Sequence, residues 1–348
     1  MDTLTHALSG ALAARASAPA SLAPRALPRR VAAGFFAAAA PDLDFVIGFL
    51  GPVEYLLFHR GVTHSLVVLP AFAFVLAWLL AKLLREPGGW RALYGVAALG
   101  IATHIAGDVI TSFGTMIFAP LSDWRAALGT TFIIDLWFSG IILAGLAASA
   151  LWYRSRLPAL AALLVLAGYV GLQWTLKGEA EAFGERFAAS RGLQGAEVKA
   201  FPRPVSPYNW TVFVSDTEAH RFAHVNLRRS EPRPAAPGDG FVAKLDAPYQ
   251  PLERAQWERR SRFGDSGDER MLAREASGSP ALAFFRWFAA LPAFDGVGEG
   301  DCVAFLDLRF VTPGREYVPF RFEACRESPG TAWRAYPREG ESGRVPFD

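Results

Sequence analysis

Residues 92–110, ALYGVAALGIATHIAGDVI, are long and apolar enough to cross a bilayer, yet they carry His104 and Asp108 four positions apart. That pair constrains the chain more than any other feature. Positions i and i+4 share one helix face. An ionisable group at membrane depth is costly, so it marks a site facing a protein interior or a wet cavity. Imidazole and carboxylate at this spacing are also donors that a transition metal accepts from a helix. The expectation is a helical membrane protein with a metal site.

Composition supports the membrane half of that expectation. Of 348 residues 52% are hydrophobic and only 20% charged, too apolar for an ordinary soluble domain of this size. Up to Leu176 the chain consists of Ala/Leu/Val/Phe stretches cut by short polar links; from Lys177 it becomes mixed and rich in Pro, Arg, Glu and Gly. The predicted organisation is an α-helical polytopic membrane domain over 1–176 and a small β-rich soluble domain over 177–348. A net charge of +2 without a Lys/Arg stripe interleaved with aromatics excludes a nucleic-acid surface.

Stretches 62–84 and 157–176 read as clear spans, 92–110 and 131–153 as spans interrupted by His104 with Asp108 and by Asp135. A fifth, 31–50, is broken by Pro41-Asp42-Leu43-Asp44. With the shorter 4–18, read as a retained N-terminal helix rather than a signal peptide, this makes four to five spans plus one short helix. One set of links holds Arg15, Arg25, Arg29, Arg30, Lys82, Arg85, Arg91, Arg154 and Arg156, the other only Arg60 and Arg125. That bias puts the first set in the cytoplasm. His6, Asp44, His59, His64, Asp108 and Asp135 then all fall at the opposite, extracytoplasmic face. The implied location is a bacterial inner membrane, crossed several times, with the site and the C-terminal domain outside the cytoplasm.

Met-Asp-Thr-Leu-Thr-His6, Pro41-Asp42-Leu43-Asp44, His59-Arg60-Gly61-Val62-Thr63-His64-Ser65 and His104-x3-Asp108-x2-Thr111-Ser112-x-Gly114-Thr115 occur in that order. Over the N-terminal half they resemble the YdjM-like membrane-bound metal-dependent hydrolases. More distantly, the order is similar to that of the zinc-dependent phospholipase C and single-strand nuclease superfamily, where such residues build a multi-zinc cluster. That superfamily adds two histidines and an acid downstream, whereas this chain has no histidine between His104 and His220. The resemblance therefore implies one or two ions rather than three.

The chemistry also stands on the residues alone. Imidazoles with carboxylates and no nearby thiolate suit a divalent metal, zinc first, in a catalytic rather than a closed structural site. Asp44, His64, His104 and Asp108 are the expected ligands, with His6 assigned to a second ion. His59, Asp42 and Asp135 are candidates for ligation, for orienting imidazoles or for general-base work, and Arg60 for holding a substrate phosphate or carboxylate. Asp42, next to Pro41, reads chiefly as a helix cap. The expected reaction is metal-assisted hydrolysis of a phosphoester in a membrane lipid or another amphiphilic envelope substrate. The competing reading is a non-catalytic protein whose metal pins the bundle and whose C-terminal domain binds a partner.

Beyond the boundary, 209–215, 221–228, 239–245, 302–311 and 316–326 read as strands, and 281–291 as a short amphipathic helix. His220 and His224 have metal-like spacing only on a helix; in a strand they stand about 13 Å apart. Cys302 and Cys325, on neighbouring strands in an oxidising compartment, are expected to pair.

Overall fold

The computed structural model describes residues 1–315 and 317–338. Two compact units emerge, one of Met1–Leu50 with Phe58–Thr175, the other of Gly51–Leu57 with the chain from Leu176 onward.

In the first unit, α1 (Thr3–Ala16) starts at Asp2, whose carboxylate accepts from the Thr5 backbone N–H, satisfying one of the donors a helix start leaves free. It is followed by α2 (Leu27–Ala39), which runs into 3-10 turns over Ala40–Phe49; α3 (Pro52–Phe58) belongs to the second unit except for its last residue, and the first unit resumes with a 3-10 turn over Val62–His64. Four more helices follow: α4 (Leu69–Leu83), α5 (Gly89–Val109), α6 (Leu136–Leu151) and α7 (Leu157–Ser190), the last contributing to both units. The core between α1, α2, α4 and α5 is built of small residues, with Ala33, Ala37, Ala73, Ala77 and Ala97 fully buried. A Cβ on Gly10 would stand 2.2 Å from the Gly34 carbonyl oxygen and 2.4 Å from Ala38 Cβ. Such close backbone approach is how helices pack when lipid offers no hydrophobic drive between them.

Pro24–Phe49, Gly89–Val109 and Leu157–Ser190 are long and apolar enough to cross a membrane, and Pro52–His64 with Leu69–Leu83 makes a fourth candidate if a 79° bend is admitted. The expected continuous span over 62–84 is thus two pieces. Ser65–Val68 interrupt it, and α4 restarts at Leu69-Pro70, proline being favoured in a first turn. The stretch 131–153 yields only the 16 residues of α6, because Asp135 caps the helix and keeps 131–135 outside it.

The second unit is β-rich. An antiparallel hairpin of β1 (Glu197–Pro202) and β2 (Asn209–Ser215) extends to β3 (Ala219–Asn226). Helix α8 (Phe241–Asp246) follows; β4 (Gln250–Pro251) and β5 (Glu258–Ser261) then both pair with β3. Helices α9 (Gly267–Gly278) and α10 (Ala283–Phe288) lead to an antiparallel meander of β6 (Pro292–Val297), β7 (Asp301–Asp307), β8 (Phe322–Arg326) and β9 (Arg334–Pro337). The strand expected over 239–245 is instead α8. Only Leu245 of that segment is buried, so nothing rewards a two-residue alternation. Of the strand expected over 316–326, Glu316 lies outside the described residues. Cys302 and Cys325 face each other across β7 and β8 and form a disulfide.

Candidate metal centre

Helix α5 presents His104 and Asp108 on one face, both fully buried. The His104 ring is oriented from behind: Nδ1 donates to the Ala38 carbonyl oxygen at 2.6 Å. A carbonyl can only accept, so the proton is on Nδ1 and the Nε2 lone pair points forward. His64 arrives from the 3-10 turn after α3 and is held the same way. Thr63 Oγ1 donates to Asp44 Oδ2 at 2.9 Å, and its oxygen lies 2.9 Å from His64 Nδ1, with Asp44 Oδ2 a further 3.4 Å neighbour. Asp42, from the 3-10 run after α2, completes the set, its Oδ2 accepting from Thr3 Oγ1 at 2.6 Å.

Four atoms converge: Asp42 Oδ1, His64 Nε2, His104 Nε2 and Asp108 Oδ2 all lie within 4.8 Å of one another. The four imidazole–carboxylate separations are 3.3, 3.4, 3.5 and 3.6 Å. Four donors bonded to one ion at zinc-like lengths in a tetrahedron stand about 3.3 Å apart, so the spacing fits one divalent ion. The polar accounting agrees. His64 Nε2, His104 Nε2 and Asp108 Oδ2 are buried without a hydrogen-bond partner, a state that is costly unless something else fills the space between them.

The other oxygen of Asp108 faces away from this point. Its Oδ1 lies 2.6 Å from the Met1 nitrogen, 3.0 Å from His6 Nε2 and 3.0 Å from Arg60 Nη2. His6, expected to serve a second ion, instead bonds this carboxylate and stacks on His104 with ring centroids 3.7 Å apart. Gly107 makes room for it: a Cβ there would stand 3.0 Å from His6 Cε1. Arg60, expected at a substrate, is buried and also donates to Thr111 Oγ1 at 3.0 Å. Its backbone takes a left-handed φ of 61°, uncommon for a residue with a Cβ. The surroundings hold it there, its N–H on Asp44 Oδ2 at 3.2 Å and its guanidinium on Asp108.

Two sequence assignments change places. Asp44, expected as a ligand, is occupied by His59 Nδ1 at 2.7 Å, Thr63 and the Arg60 N–H; it supports the His59–His64 loop rather than joining the four-atom cluster. Asp42, read chiefly as a cap and only as an alternative as a ligand, is in the cluster. Two positions along a 3-10 helix point roughly 120° apart, so the two acids cannot face the same point, and nothing in the motif says which one does. His59 holds Asp44 and packs edge-on against His64. Asp135 is not in the cluster either: it accepts from the Trp137 and Phe138 N–H groups and from Tyr169, the helix-start role. His220 and His224 take separate partners, Ser215 and Thr211, and form no joint site.

The family model for the YdjM inner membrane protein matches residues 1–180, which contain every residue of the centre. An uncharacterized Bacillus subtilis (strain 168) protein, YfhP, is 29% identical over 133 residues. That match covers 37% of this chain and 39% of the relative's own length. No solved structure matches.

Proposed function

The chain belongs to the YdjM inner membrane protein family, and on that premise we propose that it is a membrane-bound, metal-dependent hydrolase acting on a phosphoester of a lipid or another envelope substrate. The observation that carries the reading is the convergence of buried, unpartnered ligand atoms from His64, His104 and Asp108 with Asp42 Oδ1. A donor set of two imidazoles and two carboxylates without thiolate suits Zn, Mn or Fe in a reactive setting. Such an ion would polarise a phosphoryl oxygen and lower the pKa of a coordinating water to about 7. Asp42 is the most accessible of the four donors, its side chain 11% exposed against none for the other three. Substrate therefore approaches from the Asp42 side, laterally from the membrane, while Asp44 and the Ala38 carbonyl keep the imidazoles aimed.

The chain crosses the membrane several times with its basic links in the cytoplasm, so the centre and the C-terminal domain act outside it. A second reading has its own support. Four protein donors in near-tetrahedral spacing, all nearly buried, also suit an ion that only pins the helices. Metal analysis of purified protein, followed by a phosphoester-lipid hydrolysis screen against pH, separates the two. The enzymatic reading expects stoichiometric metal, turnover that a chelator abolishes, and activity rising through an apparent pKa near 7. Stoichiometric metal without turnover on any lipid, amide or ester substrate supports the pinning role, and metal-free protein of undiminished stability removes both.

A further inference from the structure

At the other end of α1, about 13 Å along the helix from His6, Arg15 forms the wall between two connected hollows. One is a cavity of about 650 Å³ between the α1–α2 and α6–α7 links, lined by Arg15, Arg154 and Arg156. The other is an open groove of about 540 Å³ running along α2 and α6, lined by Val31, Phe35, Leu146 and Ala150. Arg15, Leu27 and Tyr153 line both. Among the described residues no carboxylate lines either one. Arg15 is nearly buried, and its guanidinium donates to the Tyr153 and Ser155 carbonyls, holding the α6–α7 link in place. Arg154 and Arg156 are exposed and carry their charge at the rim. A basic chamber opening into an apolar channel has the polarity of one amphiphile: an anionic head continuous with a hydrocarbon tail.

We propose that this cavity and groove hold one anionic phospholipid, its phosphate among Arg15, Arg154 and Arg156 and one acyl chain along Val31, Phe35 and Leu146. The site is separate from the metal centre and does not depend on any hydrolytic activity. It would tie α1 and α2 to the α6–α7 link through the lipid, at the end of the bundle where basic residues concentrate.

Native mass spectrometry of the full chain, released from nanodiscs or mild detergent, tests it with phosphatidylglycerol, phosphatidylcholine of matched chains and glycerol 3-phosphate as probes. One retained phosphatidylglycerol per chain is expected, with phosphatidylcholine at least about tenfold weaker. The double variant Arg154→Glu/Arg156→Glu should lower phosphatidylglycerol retention by about tenfold or more while leaving metal content unchanged. Ala150→Phe, filling the groove from an exposed position, should weaken it without touching the charges. Equal retention of the two lipids, or charge reversal without effect, overturns the proposal. So does glycerol 3-phosphate binding as well as the lipid with Ala150→Phe silent, which would mark a soluble-phosphate site. Should the double variant fail to fold, the lipid selectivity of the wild type and the Ala150→Phe result decide.

Discussion

Asp42 and Asp44 are two residues apart, and their different partners lead to different expected outcomes. Asp42→Asn removes a charged ligand, so purified protein should carry little metal after dialysis. Asp44→Asn leaves the four donors in place but loosens the His59–His64 loop; metal should still load, with affinity lowered about 10- to 100-fold. Elemental analysis across a chelator series distinguishes the two, and equal losses would place Asp44 among the ligands after all. Arg60→Ala takes the cation from a fully buried carboxylate and should destabilise the first unit by about 3–5 kcal/mol, read as an earlier thermal unfolding in detergent. His64, His104 and Asp108 were legible in the sequence because each breaks an apolar run, and buried ionisable groups there demand an explanation. The division of labour between Asp42 and Asp44 was not legible: it depends on the 3-10 turn that follows α2, and both acids sit equally well beside Pro41. Nor was the burial of Arg60, since a basic residue between two histidines reads equally well as a surface anchor.

Small residues carry the helix contacts, so adding a methyl group is a sharper probe than removing one. Gly10→Ala would drive a Cβ into the Gly34 carbonyl at the α1–α2 crossing and should cost about 1–3 kcal/mol by overpacking. Gly107→Ala presses on the His6 ring instead, and should disturb the support of Asp108 more than global stability. Thermal unfolding alongside metal content separates the two effects; a silent Gly10→Ala would mean the crossing is looser than described. At this scale hydropathy reported which stretches are apolar but not where helices begin and end. The break after His64 and the late start of α6 arise from polar side chains, Asp135 above all, that claim backbone N–H groups the periodicity cannot see. In the C-terminal portion, alternation marked β2 and β3, while 239–245 lacked the burial needed to make a strand.

Compartment and stability belong to the molecule as a whole. Because Cys302 and Cys325 are paired, a cysteine introduced at exposed Leu121 gives a clean label; it should react with a membrane-impermeant reagent applied from outside intact cells. Reaction only after lysis would reverse the topology and remove the envelope substrate. An extracytoplasmic location would favour the disulfide, which closes a 23-residue separation and contributes about 3 kcal/mol in a loop-entropy picture. The second unit should also be acid-sensitive. Burial, reinforced by the Arg203 charge, pushes the His224 pKa down to about 3, against about 6.5 in an unfolded chain. Stability should therefore be flat above pH 6.5 and fall as pH drops toward 3, by at most about 1.4 kcal/mol per pH unit from this group. Hydrogen exchange of the β2–β3 hairpin in the full chain reads that slope, and His224→Gln should flatten it. The four donors of the candidate metal centre come from three stretches that leave the ribosome at different times, with Asp108 the last to appear. A nascent chain whose early segments have already entered the bilayer would have no place for an ion until α5 has inserted and docked against α2. Metal capture there would be a timestamp on assembly, and a misassembled bundle would stay empty.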